Sequence, residues 1–202
     1  MQLITEYLDN TLEYVTEAAA GGKKNVFIEG VFMQAGVENR NRRIYSESVL
    51  HSAVDKYVTE QVQTNRAVGE LNHPATPSIN LDKVSHRITE LRWEGTDVIG
   101  KALVLDTPMG KIVKNLIEGG VKLGVSSRGM GSVSRNGATS HVDSGFLLST
   151  VDIVQDPSAP SAFVNGIMEG VEFYPNGKGG FSQKKSDPIA EMKAFEQFLK
   201  TL

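Results

Sequence analysis

A series of apolar runs typical of β-strands, separated by turn residues, dominates the middle of this 202-residue chain. Two of the runs flank the turn Glu94-Gly95-Thr96, a spacing that predicts a β-hairpin. Apolar residues at helical spacing predict two helices between the strands, at about 46–63 and 108–117. The strand-like runs lie at 24–33, 84–93, 97–105, 121–125 and 145–154. The pattern predicts an α+β domain that is mostly β, with a few helices.

The two ends of the chain differ from this core. Residues 2–18 carry apolar side chains at helical spacing and are followed by Gly21-Gly22, which predicts an N-terminal helix and a joint. Residues 173–188 read as a polar, Gly/Lys-rich linker, and 189–201 as a short amphipathic helix. The chain is therefore divided into an N-terminal helical segment, a core, and a flexible tail with a short helix, at 1–22, 23–165 and 166–202.

Composition excludes several classes of protein. The chain is 40% hydrophobic and 22% charged, which is typical of a soluble globular domain. Its net charge is −3, and positive and negative residues are interspersed along the chain, so no basic surface for nucleic acid or an anionic membrane is predicted. The absence of cysteine removes disulfides, zinc–thiolate sites and thiol nucleophiles, and suits an intracellular protein. No transmembrane run, signal peptide or ligand cluster with metal spacing is visible, so neither metal nor cofactor is expected.

Two short motifs carry groups capable of chemistry. The GELNHP run holds His73 in a predicted loop over 64–83, and the GVSSRG run holds Ser126 among small residues. A serine hydroxyl attacks a carbonyl only when an imidazole accepts its proton and a third group orients the imidazole. Asp152 lies in an apolar run, where a carboxylate is costly to bury without a partner such as a histidine N–H. Physical reasoning alone leaves open a surface histidine, a turn serine and a structural ion pair between Asp152 and Arg128.

Four segments together resemble the prohead (head maturation) proteases of T-even-type tailed phages. The segments are GVFMQAGVENRNRRIYS at 30–46, GELNHP at 69–74, GVSSRGMGS at 124–132 and VDIVQDPSAPSA at 151–162. The resemblance implies a compact β-barrel surrounded by a few helices, similar to that of the herpesvirus capsid-maturation proteases. It also implies a serine endopeptidase inside the immature capsid, in the host cytoplasm, which cleaves scaffold proteins, the major capsid protein and itself.

Carried over position by position, the resemblance makes His73 the base, Ser126 the nucleophile and Asp152 the third member of a triad. The herpesvirus relatives use a second histidine as third member, so His141, at a predicted hairpin tip, is an alternative. The resemblance also selects Ser126 over Ser127. Because neighbouring strand residues point to opposite faces, only one of these two serines can meet His73.

The resemblance does not identify the donors to the oxyanion or the residues of the specificity pocket. Arg128 and the backbone amides around it, including that of Ser127, are candidate donors to the developing oxyanion. The alternative for Arg128 is a salt bridge to Glu70 or Asp156. A site that reads a glutamate before the cut would also need a basic residue, and the candidates are Arg40, Arg42, Arg43 and Lys122.

The family prefers a hydrophobic residue, then any residue, then glutamate before the cut. Triplets of this kind in segments expected to be mobile end at Glu6, Glu17, Glu169 and Glu191. We therefore expect removable pro-segments around a core of about 18–169, joined to it through glycines and able to block the site or to dock on scaffold. The alternative is a tail that simply packs as a helix on the core or on a partner.

Two other functions are compatible with the sequence. One is a non-enzymatic scaffold or capsid component that keeps a protease-like fold. The other is a different serine hydrolase such as an esterase, which would need a deep apolar pocket, whereas a protease needs an open groove lined by an edge strand. A homo-oligomer is also compatible with the sequence, which does not fix the oligomeric state.

Overall fold

The computed structural model describes residues 2–7, 13–18, 24–74, 76–155, 172–175 and 181–184. This part of the chain is mostly β with a few helices, as predicted. The helices are α1 (Glu47–Tyr57), followed by a π turn at Val58–Val62, and α2 (Pro108–Glu118); a 3-10 turn spans Leu81–Lys83. The strands are β1 (Gln2–Tyr7), β2 (Glu13–Ala18), β3 (Lys24–Gln34), β4 (Arg43–Ile44), β5 (Val68–Glu70), β6 (Val84–Glu94), β7 (Asp97–Val104), β8 (Leu123–Gly131), β9 (Val133–Asn136), β10 (Thr139–Val142), β11 (Leu147–Gln155), β12 (Glu172–Pro175) and β13 (Phe181–Lys184).

The described strands form three open sheets. One large sheet has the order β2-β3-β7-β6-β5, the other β11-β8-β1-β12-β13, and the small sheet β4-β10-β9. No closed barrel forms among these strands, in contrast to the barrel implied by the resemblance. The large sheets meet just after β5, where Asn72 N–H donates to the Ile153 carbonyl at 2.8 Å and Leu71 bridges Ile153 in parallel. This junction holds the chain that precedes His73 against the strand that carries Asp152.

Local sequence signals set the ends of the elements around this junction. The predicted hairpin is confirmed by β6 and β7, with Gly95 in the left-handed turn position at φ 62°. Ser46 Oγ accepts a hydrogen bond from Val49 N–H at the start of α1, and Thr107 Oγ1 accepts one from Gly110 N–H at the start of α2. α1 packs on β11, α2 on β6 and β3 on β8, so the hydrophobic core lies between the large sheets and beneath the helices.

The predicted N-terminal helix is wrong. This part of the chain forms β1 and β2, which pair with β8 and β3 respectively. Branched residues such as Ile4 and Val15 suit a pleated, paired strand, and the ladder hydrogen bonds of β1 with the distant β8 and of β2 with the neighbouring β3 outweigh the helical spacing. Glu6 and Glu17, which were expected in mobile segments, therefore lie in strands.

Two loop predictions also need correction. The predicted linker over 173–188 contains the β12–β13 hairpin, since aromatic residues such as Tyr174 and Phe181 favour strands. The predicted loop over 64–83 contains β5 and a 3-10 turn. The helix predicted over 189–201 lies outside the described residues, as does Glu169. None of the helices that the structure describes is long and apolar enough to cross a membrane.

Candidate active site

His73, Ser126 and Asp152 come together where β8, β11 and the chain after β5 meet. Ser126 on β8 lies directly opposite Asp152 on β11, and opposed residues of an antiparallel pair share a face of the sheet. His73 reaches over this face, with Nε2 hydrogen-bonded to Ser126 Oγ and Nδ1 2.9 Å from Asp152 Oδ2. The structure thus joins in one chain of hydrogen bonds the three residues singled out from the sequence.

The chemistry of the three groups fixes the direction of these hydrogen bonds. An ionised carboxylate only accepts, so His73 Nδ1–H donates to Asp152. Nε2 then carries a lone pair and accepts the Ser126 hydroxyl proton. Asp152 is fully buried and Ser126 is 1% exposed, whereas the His73 side chain is 18% exposed. The imidazole is therefore the member of the site that solvent reaches.

The backbone on either side of His73 sets the position of the imidazole. Asn72 takes a left-handed conformation at φ 69°, which asparagine tolerates better than most residues. Its N–H donates to the Ile153 carbonyl, so the turn is tied to β11 one residue beyond Asp152. Pro74 restricts His73 to extended conformations. The asparagine and the proline of the GELNHP run therefore both aim the histidine at β8.

Asp152 accepts hydrogen bonds on both carboxylate oxygens. Oδ1 accepts from Glu70 N–H at 2.9 Å and from Arg128 Nη2 at 3.1 Å. Oδ2 accepts from His73 Nδ1 and from Arg128 Nε, both at 2.9 Å. Burial acts to raise the pKa of Asp152, but the hydrogen bond from His73 and the charge of Arg128 outweigh it, so the pKa lies below its ordinary value. The carboxylate is consequently ionised at neutral pH.

Arg128 is fully buried and is the main charge partner of this carboxylate. Its remaining contacts are Nη2 to Glu70 Oε1 at 3.2 Å and Nη1 to the carbonyls of Thr76 at 2.7 Å and Ser78 at 3.1 Å. Together these bonds use all five guanidinium N–H groups. None is left for an oxyanion, so the side chain does not have the donor role considered from the sequence, and the alternative salt bridge to Glu70 is observed.

We expect loss of Arg128 to destabilise the whole domain. Arg128→Met leaves the buried carboxylates of Glu70 and Asp152 without their counter-charge, at a cost of about 3–5 kcal/mol. Arg128→Lys restores the charge but supplies only three donors, so it recovers part of the loss. Urea unfolding of the full chain measures both changes.

Arg92 provides a matched control for this prediction. It contacts three carboxylates, those of Glu29, Glu90 and Glu94, whereas Arg128 contacts two, but the Arg92 side chain is 39% exposed. Ion pairs in contact with solvent contribute little to stability, so Arg92→Met should shift the unfolding midpoint much less than Arg128→Met. Equal shifts for the two variants would contradict a special role for the buried ion pairs.

The other predicted site residues lie apart from the His73 imidazole. Ser127 is buried and follows Ser126 in β8, so its side chain faces the opposite side of the sheet. His141 is exposed on β10 of the small sheet, opposite Ser134. Asp152, and not His141, is the partner of His73 Nδ1. Among the described residues, no group of histidines and carboxylates is arranged to hold a metal ion.

Three further residues build the rear wall of the site; the sequence analysis named Glu70 only as a possible partner of Arg128, and it missed Gly69 and His86. Glu70 is buried and links Arg128 to the Asn80 N–H, which its Oε1 accepts at 2.7 Å. His86 is fully buried and its Nε2–H donates to the Val151 carbonyl at 2.9 Å; burial lowers its pKa, so the ring is neutral. A Cβ on Gly69 would overlap the His86 ring and that carbonyl, so only glycine lets β5 approach β11. Gly69 and Glu70 belong to the GELNHP run, so this motif was the sequence signal that could have identified two of the three residues.

Comparisons with known proteins identify the family to which this chain belongs. The family model described as prohead core protein serine protease matches residues 8–172. The prohead core protein protease of Enterobacteria phage T4 is 43% identical, over 71% of this chain and 70% of the relative. The solved structure of the bacteriophage T4 capsid assembly protease, gp21, matches with a TM-score of 0.72 at 37% identity, covering 76% of this chain and 97% of that one. The matched residues include all three members of the hydrogen-bonded chain, and the protein therefore belongs to the prohead core protein serine protease family.

Proposed function

We propose that this phage head-maturation protease is a serine endopeptidase in which Ser126 is the nucleophile, His73 the general base and Asp152 the residue that orients it. The observation that carries the proposal is the continuous hydrogen-bonded chain from the Asp152 carboxylate through both imidazole nitrogens to Ser126 Oγ. A base within hydrogen-bonding reach of a hydroxyl, itself oriented by a third group, is the geometry that activates a weak nucleophile.

The proposed reaction is acyl transfer. Ser126 Oγ attacks the carbonyl carbon of the scissile peptide as its proton passes to His73 Nε2. The C–N bond then breaks, and the leaving amine takes that proton from the imidazolium, which leaves an ester on Ser126. Water, deprotonated by His73, attacks the ester carbon; the C–Oγ bond then breaks, the imidazolium returns its proton to Ser126 Oγ, and the carboxylate product leaves. Asp152 supports both steps because its ionised carboxylate stabilises the transient imidazolium.

We propose that Arg128 and Glu70 are positioning residues for this chemistry. A lone buried carboxylate would tend to take up a proton, and Arg128 keeps Asp152 ionised at both of its oxygens. Glu70 contributes in two ways, through its N–H to Asp152 and its side chain to Arg128. Asp152 is therefore held on all sides before any substrate arrives, which favours catalysis by a fixed orientation.

We also propose the substrates that the family suggests. These are phage scaffold or core proteins and the major capsid protein, cut after a hydrophobic-x-Glu triplet inside the prohead. The chain would process itself as well, with Glu6, Glu17 and Glu169 as the proposed cut sites. Support comes from the family match and from the T4 relative's description as a prohead core protein protease. The similarity to herpesvirus proteases and the homo-oligomer stay predictions.

A fluorophosphonate probe tests the proposal against the non-enzymatic scaffold alternative. Such probes phosphonylate an activated serine, whose Oγ displaces fluoride from phosphorus, so the purified full chain should take up one label, on Ser126 itself, which fragmentation of tryptic peptide 123–128 distinguishes from Ser127. His73→Ala should abolish labelling because the hydroxyl loses its base, while Ser127→Ala should retain it. Mass spectrometry of the labelled chain gives the site. Labelling elsewhere, or none in the wild type, would favour a scaffold component.

A further inference from the structure

The strand β1 covers one edge of the strand that carries Ser126. In the sheet order β11-β8-β1-β12-β13, β8 has β11 on one side and β1 on the other. β1 comes from the first residues of the chain and is far from β8 in sequence. Without β1, the edge of β8 would present unpaired N–H and C=O groups, which are a template for another extended segment.

The register of β1 brings one of its peptide bonds next to the candidate nucleophile. β1 runs antiparallel to β8, with Tyr7 opposite Ser126 and Glu6 opposite Ser127. The bond between Glu6 and Tyr7 is thus the bond of β1 in line with the two serines. Residues 4–6 are Ile-Thr-Glu, a hydrophobic-x-Glu triplet. A cut after this triplet would break the Glu6–Tyr7 bond, which is also the bond of β1 that lies beside Ser126.

Ile4 occupies a place on β8 that is shaped by glycine. The Ile4 side chain is 1% exposed and its residue lies opposite Gly129. A Cβ on Gly131 would lie 3.2 Å from both Ile4 Cδ1 and the Phe146 ring, and a Cβ on Gly129 would run into the same ring. Phe146 therefore lies across the two glycines, and the branched side chain of β1 packs beside it. The position of Ile4 therefore fits an aliphatic side chain. It lies two residues before Glu6, the residue opposite Ser127.

We propose that β1 occupies the edge on which an extended polypeptide substrate docks, and that it blocks this edge in the unprocessed chain. A substrate strand would pair with β8 in the register of β1 and place an aliphatic side chain where Ile4 lies, beside Phe146. The proposal rests on the proposed function and adds to it the docking edge, its register and the segment that covers it. Because β1 is tethered, its effective concentration at the edge is on the order of millimolar, and a substrate must displace it or wait for its removal.

A reversible disulfide between β1 and β8 tests the block in the full chain. The natural sequence has no cysteine, so Leu3→Cys with Met130→Cys introduces a single pair, at positions directly opposed in the ladder. Opposed Cα atoms in an antiparallel sheet are about 4.5–5.5 Å apart, within the range of a disulfide. The substrate is a quenched fluorescent peptide built on Ile-Met-Glu-Gly, the sequence at 167–170.

We expect the oxidised pair to cleave this peptide at least about ten-fold more slowly than the same protein after reduction, because β1 can no longer leave the edge. The single variant Leu3→Cys should not respond to oxidation. Equal rates in the oxidised and reduced states of the pair would overturn the block while leaving the protease function intact. A disulfide-linked dimer, in place of the internal bond, would overturn the pairing of β1 within its own chain.

A second measurement needs no catalysis and separates this proposal from the proposed function. In full-length Ser126→Ala, amide hydrogen exchange over residues 2–7 is followed as the free peptide Gln-Leu-Ile-Thr-Glu-Tyr is added. A shared edge predicts several-fold faster exchange in β1 as the peptide displaces it, and no effect from the same peptide with aspartate in place of isoleucine. Unchanged exchange at high peptide concentration would overturn the docking edge. If the peptide displaces β1 but the wild type hydrolyses no peptide, the result would support the docking edge on β8 and contradict the proposed protease function.

Discussion

Purified wild-type protein is expected to lose its terminal segments over time, while Ser126→Ala keeps them. Without the Ser126 hydroxyl there is no group to form the acyl-enzyme, and loss of a serine nucleophile typically slows catalysis by a factor on the order of 10⁴ or more. Intact-mass spectrometry over a time course measures the trimming directly. It also identifies each cut, so Glu6, Glu17 and Glu169 are tested as cut sites together.

The neighbouring serine supplies the control for this prediction. Ser127 has the same chemistry and is also buried, but its side chain faces the other side of β8. Ser127→Ala should therefore be trimmed at a rate close to that of the wild type. Equal trimming of Ser126→Ala and the wild type would show that another group, or another protease in the preparation, makes the cuts.

The second large effect is expected from Asp152→Asn, which should lower kcat by about 10⁴-fold. The asparagine amide can donate to His73 Nδ1, and this favours the tautomer that carries its proton on Nε2. That tautomer cannot accept the proton of Ser126. Hydrolysis of the quenched peptide gives kcat, and urea unfolding of the same variant shows whether the fold persists beside Arg128.

Asp143→Asn is the matched control for this substitution. Asp143 accepts a hydrogen bond from Ser134 Oγ at 2.8 Å, away from the His73 imidazole. Its amide variant should leave kcat near the wild-type value. A folded Asp152→Asn variant with less than about a ten-fold loss would contradict the orienting role. His141→Ala would then test the alternative third member.

Much of the fold could be predicted because its signals are local. The β6–β7 hairpin follows from a turn with Gly95 at its centre, and α2 follows from Thr107 and Pro108 at its start. These residues act within a few positions of themselves. The N-terminal segment was mispredicted for the opposite reason: β1 owes its conformation to β8, and spacing along the segment holds no information about a partner more than a hundred residues away.

The same distinction applies to the candidate site. His73, Ser126 and Asp152 could be named because their motifs resemble a family. For Arg128 the sequence offered Asp152 and Glu70 as possible partners but could not decide between an ion pair and an oxyanion donor, because that choice depends on the ladder register that sets Ser126 opposite Asp152 and on the backbone course after Glu70. His86 gave no sequence signal of its own, since a buried histidine and a surface histidine look alike in one sequence.

The setting of Asp152 bears on the step at which activity of the proposed protease could be controlled. Its carboxylate accepts hydrogen bonds from Glu70, His73 and Arg128, and behind it the Gly69 backbone lies so close to the His86 ring that no Cβ would fit there. The conformational entropy that these groups lose on becoming ordered is therefore lost when the chain folds, and not when a substrate binds. If the proposed triad is the active site, its hydrogen bonds are already formed in the free chain, and control of activity would act on the route by which a polypeptide reaches the site.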